Sequence, residues 1–575
     1  MSEKKIKGKE AKGVSYFKSR IKNGNDIVVV KEIIHYEDGT TGKNLRIEEN
    51  YQIPFWVTKP TARNHIQKKA SEKLDNLLRY ESHFSALPGK VARVLDYKYG
   101  GGSSSLKQLS NCPYVYGLDI SPVSWMKYSY LKRWPGCTTA NEVATLDIET
   151  NVNSPDEEII LLTITCKEKL RCYVLRSFLN DSETVRKEIN EKANTYLKET
   201  LEKRKIQPVV EFHDTPGQLV KAAIEELHRW QPDYLIIWNA IFDMPRLKDA
   251  LIKENFDPAE VFSDPRIPRE YRQFRIKEGK DKLETASGVK KTKSREEIWS
   301  WYYFPATFIV LDAMCVYDTI RFGAKEQSYA LDYILQIEKI GTKLRIPGTD
   351  QWHGLRWHQV VQQRFPVAYL IYNWADCIRM EELNDKTTDI SMVINEIAAV
   401  SDFSYLNSGP RRLVDKMHFW YLDTDAFKDK RIMASAPNDW DEEHDRHVIG
   451  HRNIIVTLPA MMLAPCTIDH VKDTIHYATL TFKFCYDADV TSTYPTASIV
   501  LNASPETRRF EFSRIRGVEY NRRIALGINL TAPRTNAMLI CTEYFGAAKA
   551  SDWLKEWDAT QGSIEHVKVK ECIDG

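Results

Sequence analysis

Four acidic residues stand where a carboxylate is least favourable. Asp147 and Glu149 lie two apart at the end of the apolar run VATLDIE (143–149), so in a strand both side chains point to one face. Burying two carboxylates side by side costs several kcal/mol unless a cation compensates. Asp243 sits where the apolar stretch YLIIW enters a turn, inside NAIFD (239–243). Asp376 falls on a helical pattern over 366–383, with Tyr372 four residues earlier on the same face. A site built from carboxylate oxygens favours Mg²⁺ or Mn²⁺ over softer metals. Two such ions about 4 Å apart can activate a water and stabilise the leaving oxygen of a phosphodiester. Spacing alone leaves a plainer reading open, because an aspartate at a strand end commonly caps a turn or helix. Asp312, in IVLDAM, reads as such a cap and not as a ligand.

The elements that would position these acids alternate between strand and helix. EIILLTITC (158–166), LRCYVL (170–175) and TFIVLDAM (307–314) read as strands and DYLIIWNAIFD (233–243) as a buried strand running into a turn, rich in β-branched and large apolar residues. TPGQLVKAAIEELHRW (215–230) reads as a helix: Thr215 is placed to cap it, Pro216 suits its first turn and Gln218 has capping-box spacing. Pro366 opens the helix of Asp376 in the same way. This order predicts a mixed α/β domain. Before it, 25–38 and 43–57 look like strands joined by the turn DGTTG, and 65–80 reads as a helix. Residues 4–22, with eight Lys and Arg against one acid, read as a solvated terminus or, less simply, a phosphate-binding arm. The charged segment 270–298 reads either as a surface loop or hairpin, or as an element reaching toward a polyanion.

Composition narrows the class. The 575 residues are 43% hydrophobic and 28% charged, so several packed domains are expected and wholesale disorder is not. The 81 Lys and Arg nearly balance 79 Asp and Glu, which excludes a polybasic, histone-like protein. Ten scattered cysteines without any CxxC read as reduced thiols of a cytoplasmic protein. The longest apolar stretch, 454–466, is too short to span a bilayer, so no membrane role is expected.

DIET (147–150), NAIFD (239–243) and YNWAD (372–376) resemble the three exonuclease motifs of family B DNA polymerases, DxE, Nx₂₋₃FD and Yx₃D, in the family's order. Downstream, DVTSTYPTA (489–497) resembles the family's first polymerase motif, DxxSLYPS. SPET (504–507) and SYALDYIL (328–335) look like the T-even bacteriophage branch. The resemblance implies an N-terminal domain (1–140), an RNase H-like 3′–5′ exonuclease domain (141–390), a connecting region (391–475) and the first part of a polymerase palm (476–575). It implies that Asp147, Glu149, Asp243 and Asp376 bind two Mg²⁺ or Mn²⁺ ions, and that Tyr372 orients the attacking water and contacts the scissile phosphate. Asn239 and Phe242 would shape the pocket, with Phe242 either meeting the terminal base or serving in the core. Asp489 would bind the polymerase metals, Thr491, Ser492 and Thr493 would lie by the triphosphate, and Tyr494 would stack under the deoxyribose.

Nucleotidyl transfer in that family also needs a KxxxNSxYG-like helix and a DTDS hairpin after the first motif, and neither follows Asp489 here. YLDTDAF (421–427) spells DTD but precedes that motif, and reads as a surface turn. The expectation is the N-terminal subunit of a split replicative polymerase, or a fragment of a longer one. A second chain would carry the fingers, the rest of the palm and the thumb. Its substrates would be primer-template DNA and a single-stranded 3′ end, in the cytoplasm of an infected bacterium, with replisome proteins and RNA as further candidate partners. Two other functions stay open: a nucleic-acid-binding or regulatory subunit without catalysis, and a stand-alone exonuclease.

Overall fold

The computed structural model describes residues 4–390 apart from 20, 22–24, 64–73, 96–105, 111, 119, 280–281, 285–289, 293–298 and 322–325; beyond them it describes Val500 and the segments 508–516 and 565–573. The chain divides into two compact units, one of residues 1–59, 73–109 and 115–435, the other of 60–72, 110–114 and 436–575. Asp489, Thr491, Ser492, Thr493, Tyr494, the 391–475 connection and the 421–427 segment lie outside the described residues. In the second unit Arg508–Arg516 and Glu565–Ile573 form an antiparallel pair.

The first unit opens with an antiparallel sheet of β1 (Ile6–Phe17), β2 (Ile27–Tyr36) and β3 (Thr41–Glu49). The basic N-terminal run is therefore a paired strand and not a frayed arm. Ala11 and Val14 enter one core and Phe17 another on the opposite face of the sheet, and a register shift between Ala11 and Gly13 keeps the first two on the same side. A second small sheet joins β4 (Ile53–Thr58), β5 (Leu77–Ser82) and β6 (Val115–Tyr116). The helix expected over 65–80 is corrected in its described part. Leu77–Ser82 pairs with the apolar IPFWVT of β4, and that pairing overrides the helical spacing. Helix α1 (Pro122–Arg133), capped by Ser121, packs Val123, Met126 and Tyr130 on β1 and β2.

From residue 143 the fold is mixed α/β. β7 (Val143–Thr150), β8 (Ile159–Cys166) and β9 (Lys169–Leu175) run antiparallel to one another, and β8 is buried along its whole length. Helix α2 (Glu183–Arg204) leads to β10 (Gln207–His213), which lies parallel to β9 at the edge. Helix α3 (Pro216–Trp230) begins as the sequence predicts, with Thr215 accepting from the Gln218 N–H. The remaining cap comes from elsewhere: Glu254 accepts the Gly217 N–H at 2.6 Å. β11 (Tyr234–Ile237) then pairs parallel to β7, and α4 (Ala240–Lys253) follows.

In and just beyond the 270–298 segment, β12 (Arg275–Lys277) pairs antiparallel with β15 (Trp301–Tyr303), and β13 (Lys282–Glu284) with β14 (Lys290–Thr292). β16 (Ile309–Asp312) completes a six-stranded sheet of order β10-β9-β8-β7-β11-β16. Four helices close the region: α5 (Ala313–Ile320), α6 (Leu331–Ile337), α7 (Gly354–Arg364) and α8 (Pro366–Thr387). Leu235 and Ile237 enter one core, Ile236 and Trp238 a second on the opposite face of β11. Among the described residues no helix is long and apolar enough to cross a membrane.

One buried charge couples the N-terminal sheet to the larger one. Lys31 of β2, its side chain 2% exposed, donates to the carbonyls of Gln231 and Pro232 and to Asp233 Oδ1 at 2.6–2.7 Å. Asp233 in turn accepts the Glu142 N–H at 2.7 Å, at the start of β7. Replacing Lys31 by Met leaves the Asp233 charge and two carbonyls without their cation. A loss of about 3 kcal/mol or more is expected in urea unfolding, the size measured when one partner of a buried pair is removed.

Candidate metal centre

Asp147 and Glu149 leave β7 on the face covered by α8, while Ala144, Leu146 and Ile148 enter the core behind. Across the ladder they oppose Thr163 and Leu161, and a bulge follows at Glu149 and Thr150. Asp376 comes from the middle of α8. One ligand oxygen from each of Asp147, Glu149 and Asp376 lies within 4.8 Å of the others. Asp243 stands beside this group, in the first turn of α4 and not in the turn expected from the sequence. It is buried, and the charges of Asp147 and Glu149 act on it directly.

The electrostatics follow from this crowding. Burial, then repulsion from Asp376, raises the Asp147 carboxyl far above the usual carboxylate range. Burial and the Asp147 charge raise Glu149 likewise. Asp243 is raised by burial and by Asp147, Glu149 and Asp312. Asp376 is raised by burial and held back by Lys343. Such a group of acids either holds protons or needs cations.

One resident cation is Lys343, whose Nζ donates to Asp376 Oδ2 at 2.6 Å and to the Tyr372 hydroxyl at 2.9 Å. Burial works against its charge, but Asp376, Tyr372 and Asp147 hold the ammonium well above its ordinary range. Its loop is fixed by Asp332 of SYALDYIL, which accepts the Lys343 N–H at 2.6 Å and pairs with Arg345 at 3.0 Å. Asp376 Oδ1, buried, has no hydrogen-bond partner. An unpartnered carboxylate oxygen within a hard, all-oxygen cluster fits a divalent ion of the Mg²⁺ or Mn²⁺ type.

The motif neighbours take defined places. Tyr372 is buried under Lys343, and its phenol stays protonated because burial and then Asp376 raise it. Asn239 is the residue before α4, and its side chain makes no cap bond. Phe242 is 39% exposed, which removes the core role, and the Arg246 guanidinium lies over its ring at 3.4 Å. Asp312 caps α5 through the Cys315 N–H at 2.9 Å and also accepts the Ala240 N–H at 3.1 Å, so it ties the start of α4 to β16.

Several partners escape a reading of the sequence. Asn373 donates to Asp147 Oδ2 at 2.7 Å, and the Tyr369 hydroxyl donates to Glu149. Tyr369, Asn373 and Asp376 recur at helical spacing on a largely apolar helix, and that polar stripe is the signal that could have found them. Lys343 carries no such signal among 81 cationic residues. Comparison with protein-family models and with curated proteins returns no match for this chain.

Proposed function

We propose that residues 141–390 form a two-metal 3′–5′ exonuclease of RNase H-like fold, within the N-terminal part of a family B DNA polymerase of the T-even phage type. The observation that carries this reading is the convergence of Asp147 and Glu149 from the first motif with Asp376 from the third, and with Asp243 of the second beside them. The strand order supports the fold assignment: three antiparallel strands, then β11 and β16 added in parallel beyond the first of them.

Divalent ions held by Asp147, Glu149, Asp243 and Asp376 would supply positive charge to the phosphodiester and ionise water near neutral pH. The chain's own groups do the rest. Asn373 orients Asp147, and Tyr372, a protonated donor fixed by Lys343, contacts the attacking water or the scissile phosphate. Phe242 with Arg246 offers an exposed ring on which a terminal base can stack. The 270–298 segment fits the family's strand-separating element. Polymerisation draws on Asp489 together with a second carboxylate and a triphosphate-binding lysine, supplied by the fingers and the rest of the palm.

The test is direct. With Mg²⁺ or Mn²⁺, a 5′-labelled single-stranded DNA should shorten stepwise from its 3′ end, and EDTA should stop it. Binding without shortening in either metal would leave a nucleic-acid-binding module in its place.

A further inference from the structure

Glu149 is tied into a hydrogen-bond chain that none of the motif residues accounts for. Its Oε2 accepts from the hydroxyl of Tyr369 on α8. The same hydroxyl meets His358 Nδ1 at 2.8 Å and Gln362 Nε2 at 3.2 Å, both on α7. Gln362 is anchored in turn, since its Nε2 also donates to the Thr150 carbonyl at 2.8 Å, the residue after Glu149. Tyr369 and Gln362 are buried, while His358 keeps a side chain 32% exposed. Two helices and the catalytic strand thus meet at one phenolic oxygen.

We propose that Tyr369 and His358 are positioning residues that hold Glu149 in its ligand orientation through a directed chain from His358 Nδ1–H to Tyr369 to Glu149. The inference rests on the metal-centre reading above. The direction follows from donor and acceptor capacity. A carboxylate that binds a cation is ionised and can only accept. The single phenolic proton of Tyr369 must then lie toward Glu149. Its oxygen has two lone pairs left, and Gln362, whose Nε2 is an amide donor, fills one. The other faces His358 Nδ1, which must carry the hydrogen, leaving Nε2 as the acceptor of a neutral ring.

The test compares Tyr369→Phe, His358→Ala and His358→Asn with the full wild-type chain. Asparagine can place an N–H close to where Nδ1 stands. Mn²⁺ affinity is read by electron paramagnetic resonance of free Mn²⁺, kcat and KM on a 5′-labelled single strand, and folding by thermal melting in EDTA. Tyr369→Phe should weaken Mn²⁺ binding by about tenfold or more, the range seen for partners that orient metal ligands. Its kcat should fall while KM for the strand stays within about twofold. His358→Ala should move both quantities the same way by less, and His358→Asn should restore most of the loss.

Variants that bind Mn²⁺ as wild type does overturn the proposal, as does a His358→Asn no better than His358→Ala. Should Tyr369→Phe fail to fold, the two His358 variants decide alone, because that side chain is partly exposed. A wild-type chain that neither binds Mn²⁺ nor digests DNA removes the metal centre and this chain of bonds together. A wild-type chain that does both, with unaltered variants, removes only the latter.

Discussion

Replacing Asp147 and Glu149 together by alanine should abolish Mg²⁺-dependent shortening of a single strand while leaving the fold intact. The two carboxylates supply two of the three oxygens that cluster within 4.8 Å, so no cation can be gripped without them. A loss on the order of 10³-fold or more is expected, beyond the ~10–100-fold typical of residues that only orient a ligand. Stability in EDTA should rise, because removing mutually repelling, half-buried acids relieves strain that the protein otherwise meets with protons or Lys343. The measurement pairs a gel assay with a melt of the same preparation. Equal digestion by wild type and the double variant would place the nuclease chemistry elsewhere in the chain.

The second large effect is a pH dependence of stability that Mg²⁺ reverses. Asp147, Glu149 and Asp243 all have carboxyl groups raised first by burial and then by neighbouring carboxylates: Asp376 acts on Asp147, Asp147 on Glu149, and both Asp147 and Glu149 on Asp243. A group whose folded value exceeds its unfolded value binds extra protons in the native state. Its stabilising contribution is complete below the unfolded value, near 4 for a carboxylate, and is lost as the pH rises through the raised folded value. In EDTA the melting temperature should therefore fall as the pH climbs from the ordinary carboxylate range toward neutrality and beyond.

Only the ionised cluster binds a cation well, so stabilisation by Mg²⁺ should grow over the same interval. At a free concentration of 100 times Kd it should reach about 2.7 kcal/mol. An Asp147→Asn/Glu149→Gln variant should flatten the EDTA profile relative to wild type. Lys343→Met should steepen it and move it upward, because the cation that opposes the shift of Asp147 and Asp376 is gone. Identical profiles for wild type and the amide variant would show that these acids do not carry the linked protons.

Much of this was legible before any coordinates. The buried strand 159–166, the Thr215 cap with Pro216 behind it, the Pro366 start of α8 and the Asp312 cap all follow from local chemistry, and each appears as read. Three segments did not: residues 240–243, read as the turn after a strand, open helix α4. Basic residues 6–17 form an inner-facing strand, and Leu77–Ser82 pairs with β4, because partners distant in the chain outweigh local composition. The three-residue rhythm of Ala11, Val14 and Phe17 suits neither regular period: a bulge after Ala11 keeps Ala11 and Val14 on one face, while Phe17 enters a core on the other.

Local patterns along the chain already mark the carboxylates set in apolar surroundings, since strand alternation puts Asp147 and Glu149 on one face and helical spacing puts Tyr372 above Asp376. The tertiary structure alone decided that these faces meet, that Lys343 enters from a loop fixed by Asp332, and that Tyr369 and Asn373 hold the acids of β7. The reason is range. Periodicity and capping act over a few residues and are written in the order of the chain, whereas charge compensation acts through space and selects its partner only after the sheet and α8 have packed.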